Sequence, residues 1–156
     1  MGATSLSDRV QRLEDESNVL ATLYQYAHAL DYGPEVEFLD CFLDDGVWER
    51  VRVSSAEAPK VFAGREDLTR FFHDPARGRA PEVYFKHLLV APQIKIQGDE
   101  AQVDSYFVRL QEHPDGPYVF AFGRYRDVLR RCPDGRWRIQ HRRAETEDTH
   151  RKQIPR

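Results

Sequence analysis

The sequence predicts an α+β fold in which three helices are followed by an antiparallel sheet that curls around them. Three observations carry this reading. Apolar residues recur at three- and four-residue intervals through the first part of the chain, the period of an amphipathic helix. From Tyr84 onward the pattern switches to long, alternating, β-rich runs, the period of strands. Gly98-Asp99, Pro114-Asp115-Gly116 and Pro133-Asp134-Gly135 separate those runs, and links this short join antiparallel neighbours.

The elements follow in order. Leu6, Val10, Leu13, Leu20, Leu23, Tyr24, Ala27 and Leu30 form one stripe of a helix over 7–31, with Ser7 as N-cap and the acids at 14–16 on the wet face. Tyr32-Gly33-Pro34 ends it and restarts a short helix over 35–43, with Val36, Leu39, Phe42 and Leu43 inward. Asp44-Asp45-Gly46 reads as a turn, 47–53 as a strand, and Lys60–Ala63 as its hairpin partner. A third helix spans 64–73, with Leu68, Phe71 and Phe72 inward, and stops at Asp74-Pro75. Strands are predicted over 84–97, 101–113, 118–131 and 136–145.

A chain of 156 residues fits one domain, 1–156, with a core large enough to hold a pocket. The net charge of −3 does not suggest a nucleic-acid binder. The distribution is uneven, however. Residues 1–49 carry eleven acids against two bases, and residues 124–143 carry eight arginines against two acids. No apolar run approaches the roughly 20 residues that span a bilayer. The first twelve residues show no apolar signal-like stretch. With two cysteines lacking CxxC spacing, a cytoplasmic location without membrane association is expected. The histidines are scattered rather than set at metal-ligand spacing, so neither metal nor cofactor is expected.

No local catalytic signature is present, so the candidates are polar residues where the pattern calls for apolar ones. Asp31 closes the apolar stripe at a helix C-terminus, where the macrodipole disfavours a carboxylate. It is either a turn residue or a partly buried carboxylate that orients a histidine. His87 interrupts a buried strand, as a satisfied core histidine or as a general base. His113 precedes Pro114, as a turn residue or as a second functional histidine. His28, His73 and His150 read as surface residues. Strand alternation puts Arg124, Arg126 and Arg130 on one face. It pairs Arg138 with Arg142 and sends Trp137, Ile139, His141 and Arg143 to the opposite face. Phe120, Phe122 and Tyr125 read as core or cavity lining.

Four segments, in this order, resemble the SnoaL-like branch of the nuclear transport factor 2-like superfamily. They are Leu23–Asp31 (LYQYAHALD), Phe38–Trp48 (FLDCFLDDGVW), Gly123–Arg131 (GRYRDVLRR) and Asp134–Ile139 (DGRWRI). They look like the family's helix-one ALD, its F-x-x-D-x-x-W, its G-x-Y-x-D and its D-G-x-W-R-I. The resemblance implies a cone: a strongly curved, mostly antiparallel sheet wrapped by three helices and open at one end. It also implies cofactor-independent dehydratase, isomerase or cyclase chemistry on a small hydrophobic, cyclic or polyketide- or steroid-like molecule. Asp31 and His87 fill the dyad positions of the dehydratase relatives, His113 that of a second histidine, and Arg142 or Arg143 that of a closing-strand arginine. Tyr26, Trp48, Tyr106, Phe120, Phe122 and Arg142 are the implied substrate-binding residues. The chain departs from the relatives where Leu30 and Glu49 stand in place of tyrosines. A homodimer or homotrimer is implied. The alternatives are a non-catalytic small (beta) subunit of an aromatic-ring-hydroxylating dioxygenase, with the large subunit as partner, or a ligand-binding module of the same fold.

Overall fold

The computed structural model describes residues 5–74 and 84–149; His150 lies outside them. Helix α1 (Leu6–Asp31) leads into α2 (Glu35–Asp40), strands β1 (Phe42–Arg52) and β2 (Lys60–Ala63), and helix α3 (Gly64–Phe72). Strands β3 (Phe85–Gln97), β4 (Glu100–Gln111), β5 (Tyr118–Arg131) and β6 (Trp137–Thr149) complete the chain. One six-stranded sheet runs β2-β1-β6-β5-β4-β3. Among the described residues only the β1–β6 pairing is parallel. The result is the curved, mixed α+β cone that the segment order implied.

Several local expectations are corrected. The cap of α1 is Ser5, not Ser7. Asp8 reaches back to the Ser5 backbone N–H while its own N–H donates to the Ser5 hydroxyl, so both ends of the box close. Leu6, Val10, Leu13 and Tyr24 are exposed, and the apolar residues that α1 buries are Val19, Leu23, Tyr26, Ala29 and Leu30. Val36 is also exposed, and Phe38 takes the inward place on α2. Asp44-Asp45-Gly46 is not a turn but an irregularity inside β1, between the pairs Phe42–Ile139 and Val47–His141. A Cβ on Gly46 would stand 2.9 Å from the Leu43 carbonyl oxygen, which is why glycine fits there.

The two charged halves meet through buried partners. Asp15, expected on the wet face, is buried and accepts hydrogen bonds from Arg131 at 2.6 Å and from the Trp137 indole. Thr22 on α1 donates to the Trp137 carbonyl at 2.6 Å. Asp40 receives Arg136 and Arg138. On the outer sheet face the arginines pair mostly with strand acids: Arg124 and Arg126 with Glu145, Arg130 with Glu100, Arg143 with Glu49.

Single-residue bulges set which side chains enter the cone. Phe120 is an extra residue on β5, between the pairs Arg109–Ala121 and Leu110–Val119. Gln140 is extra on β6, between Val128–His141 and Leu129–Ile139. Each bulge reverses the facing of the residues beyond it. Trp137 and Ile139 therefore point inward together with Arg142 and Ala144, while His141 and Arg143 turn out. This corrects the alternation that grouped Arg142 with Arg138.

Gly123 sits where β5 and β6 bulge against each other, next to the extra residue Glu147. A Cβ there would lie 2.0 Å from the Glu145 carbonyl oxygen. Gly123→Ala is expected to lower stability by roughly 3 kcal/mol, read from urea unfolding midpoints; an unchanged midpoint contradicts this packing. Cys41 is fully buried and donates to the Glu37 carbonyl. Burial pushes its thiol up to about 12. Iodoacetamide at about pH 8 is therefore expected to label Cys132 in the native protein and Cys41 only after unfolding, as mass spectrometry will read.

Candidate functional site

The last turn of α1 ends against the first residues of β3. Asp31 terminates the helix with its carboxylate turned to the strand, and it accepts two hydrogen bonds from one residue. The His87 backbone N–H donates to Oδ2 at 2.8 Å, and His87 Nδ1 lies 2.5 Å from Oδ1. Both side chains are nearly buried, Asp31 at 5% and His87 at 13% exposure. The double contact fixes the ring by backbone and side chain at once. With the carboxylate as acceptor, Nδ1 carries the proton and the ring's lone pair lies on Nε2.

His87 forms part of the wall of a cavity of about 190 Å³ inside the cone. Six aromatic rings line it as well: Tyr26, Trp48, Phe71, Phe107, Phe120 and Tyr125. They hold one another in place. Trp48 lies 4.0 Å from Phe71 between centroids, Phe107 stacks on Tyr125 at 4.6 Å, and the Trp48 indole donates to the Tyr26 hydroxyl at 2.9 Å. Burial raises the Tyr125 phenol well above its ordinary value, so it stays protonated. An engineered apolar cavity of about 150 Å³ binds benzene, so this one has room for a single substituted ring.

Among the described residues three arginines also line the cavity, with Thr146 and Thr149. Arg109 pairs across the sheet with His87 and faces inward beside Phe107. Its guanidinium rests 4.3 Å from the Phe120 centroid and 4.9 Å from that of Phe85. Arg50 follows Trp48 on the inward face of β1, and Arg52 follows Arg50. Burial lowers the pKa of both Arg50 and Arg109; the charge of Arg52 adds to the effect at Arg50, while Asp31 opposes it at Arg109.

The structure thus brings Asp31, His87, Tyr26, Trp48 and Phe120 together, and leaves other expected residues elsewhere. His113 lies beyond the end of β4, where it accepts the Asp115 N–H in the β4–β5 turn and does not line the cavity. Tyr106 and Phe122 are exposed on the outer face at 57% and 44%. Phe122 turns out because the Phe120 bulge reverses the strand. Arg142 is fully buried but lies behind the wall. Its guanidinium carbon is 3.9 Å and 4.3 Å from the ring centroids of Tyr26 and Tyr125, and both forks of Asp127 hold it at 2.8 and 2.7 Å. Burial opposes its charge, but Asp127 outweighs burial and raises its pKa. The alternation reading passed over Arg50 and Arg109, although each continues an inward apolar face, Trp48 before one and Phe107 before the other.

Among the described residues no group of three or more His, Cys, Asp or Glu is placed to hold a metal ion, and no helix is long and apolar enough to cross a membrane.

Three helices packed on a curved, six-stranded mixed sheet around an aromatic-lined cavity define a nuclear transport factor 2-like protein. The SnoaL-like domain model matches residues 11–143, and the chain belongs to that family. No curated protein matches it. Among solved structures, one of Rv3472, a Mycobacterium tuberculosis protein of unknown function, is 25% identical with a TM-score of 0.76, over 94% of this chain and 78% of that one. A Catenulispora acidiphila protein in complex with S-DNPA is 30% identical with a TM-score of 0.68, over 84% of this chain and 92% of that one. The beta subunit of a putative aromatic-ring-hydroxylating dioxygenase from Novosphingobium aromaticivorans is 17% identical with a TM-score of 0.72, over 93% and 96%.

Proposed function

We propose that this protein is a cofactor-independent acid–base enzyme that eliminates water from, or isomerises, a small cyclic carbonyl compound. The hydrogen-bonded pair of Asp31 and His87 on the wall of an aromatic cavity carries the reading. His87 Nε2 takes the proton from the carbon next to the carbonyl. Asp31 holds Nδ1–H and stabilises the imidazolium that forms. Arg109, the cross-strand neighbour of His87, faces the enolate oxygen and spreads its charge. In dehydration the β C–O bond then breaks and the C=C bond forms. The imidazolium proton leaves on the departing hydroxide as water, returning His87 to its neutral form. The structure of the 30%-identical Catenulispora acidiphila protein in complex with S-DNPA supports a cone that takes a ligand.

The test is a panel of cyclic β-hydroxy carbonyl compounds incubated in D2O and followed by proton NMR. Exchange at the carbon next to the carbonyl, or loss of water, above the protein-free rate is expected for at least one compound. No exchange and no elimination across the panel by folded protein would overturn the reading.

A non-catalytic subunit of a ring-hydroxylating dioxygenase is the second reading, supported by the likeness to a beta-subunit structure. Co-purification with an iron–sulfur large subunit is its test. A subunit serving assembly alone has no need of a dyad turned to a cavity, which favours the enzyme.

A further inference from the structure

Among the described residues, the cavity that contains His87 has three arginines and no carboxylate in its lining. The sheet's outer arginines each have acids beside them. Arg50 differs. Among the described residues no carboxylate stands within ion-pair distance of it: Asp74 and Glu57 act on it only from farther off, and its neighbour Arg52, paired with Glu57 at 3.8 Å, is a like charge. Arg50 is nevertheless half-buried and lines the same cavity as Trp48. A half-buried cation with no carboxylate in direct contact gains most from an anion that arrives with the ligand.

We propose that the substrate is a monocyclic carboxylate whose anionic group is held by Arg50, on the wall formed by β1, while the reacting carbon faces His87 on the wall formed by β3. A guanidinium fork matches a carboxylate with two parallel hydrogen bonds. The six rings fit a flat ring, and the volume fits one ring with its substituents. β1 and β3 stand toward opposite ends of the strand order, so the curl of the sheet sets anion anchor and base on facing walls. Burial and the like charge of Arg52 lower the Arg50 pKa, and the more distant Asp74 and Glu57 only partly offset them. The substrate class rests on the acid–base reading above for which site is meant, but the anion preference is a binding property and is tested without turnover.

The experiment is ligand-observed NMR titration of the whole chain with matched pairs: benzoate and benzamide, phenylacetate and phenylacetamide, cyclohex-1-enecarboxylate and its amide. At least one acid is expected to saturate at about 1 mM or below and to bind roughly tenfold tighter than its amide. That preference should weaken as salt is raised. Arg50→Gln should erase it, Arg50→Lys should keep part of it, and Arg130→Gln on the outer face should keep all of it. Amides binding as well as acids, no acid saturating, or a preference that survives Arg50→Gln overturns the proposal. If Arg50→Gln does not fold, the acid–amide ratio of the wild type and its salt dependence still decide. Failure here leaves the D2O exchange result standing, and failure of exchange with the acid preference intact overturns only the catalytic reading.

Discussion

His87→Ala is expected to slow proton exchange and elimination by at least about a hundredfold for any compound that the wild type turns over. Such a loss corresponds to roughly 2.7 kcal/mol of transition-state stabilisation. The reason is geometric. The ring is held by Asp31 through its own Nδ1 and through the backbone N–H of the same residue, so the base is positioned before substrate arrives. Asp31→Asn should retain the shape yet lose the charge that stabilises the imidazolium, and is expected to fall between wild type and His87→Ala. Far-ultraviolet circular dichroism and the melting temperature separate a chemical loss from a folding loss. Equal rates for wild type and His87→Ala would exclude this histidine as the base.

The second large effect concerns stability. Arg142 and Asp127 are both fully buried and joined by two hydrogen bonds, with the guanidinium pressed on Tyr26 and Tyr125. Removing one partner leaves the other as an uncompensated charge in the core. Asp127→Ala or Arg142→Ala is therefore expected to cost about 3–5 kcal/mol in urea unfolding. Removing both with apolar residues of similar size, Arg142→Met with Asp127→Leu, should recover most of that cost, because the desolvation of two charges is then avoided. A single variant within about 0.5 kcal/mol of wild type would show that the pair is not what holds the cone behind the cavity.

Much of this was legible in the residues. The strand pattern from Tyr84 and the Gly- and Pro-containing links predicted the meander, and β3 to β6 fall within a few residues of their expected bounds. The G-x-Y-x-D segment now has a physical account. Gly123 allows the close approach of β6, Tyr125 lines the cavity, and Asp127 holds Arg142. Asp31 and His87 stood out as polar residues in apolar settings, and they do meet. Their meeting, 56 residues apart in sequence, followed from family resemblance rather than from any local pattern.

The sequence by itself determined the order of helices and strands, because period and turn chemistry are local properties of neighbouring residues. Only the tertiary structure decided which side chains enter the cone. Alternation predicts facing only until a strand takes an extra residue, and the bulges at Phe120 and Gln140 each reverse it. They send Phe122, His141 and Arg143 out and bring Arg142 in, while His113 stays in a turn. An extra residue is defined against the partner strand, so it exists only once the strands have paired. The positive lining made by Arg50 and Arg109 was hidden for the same kind of reason: the curl of the sheet and the end of α1 turn separate strands toward one enclosed space.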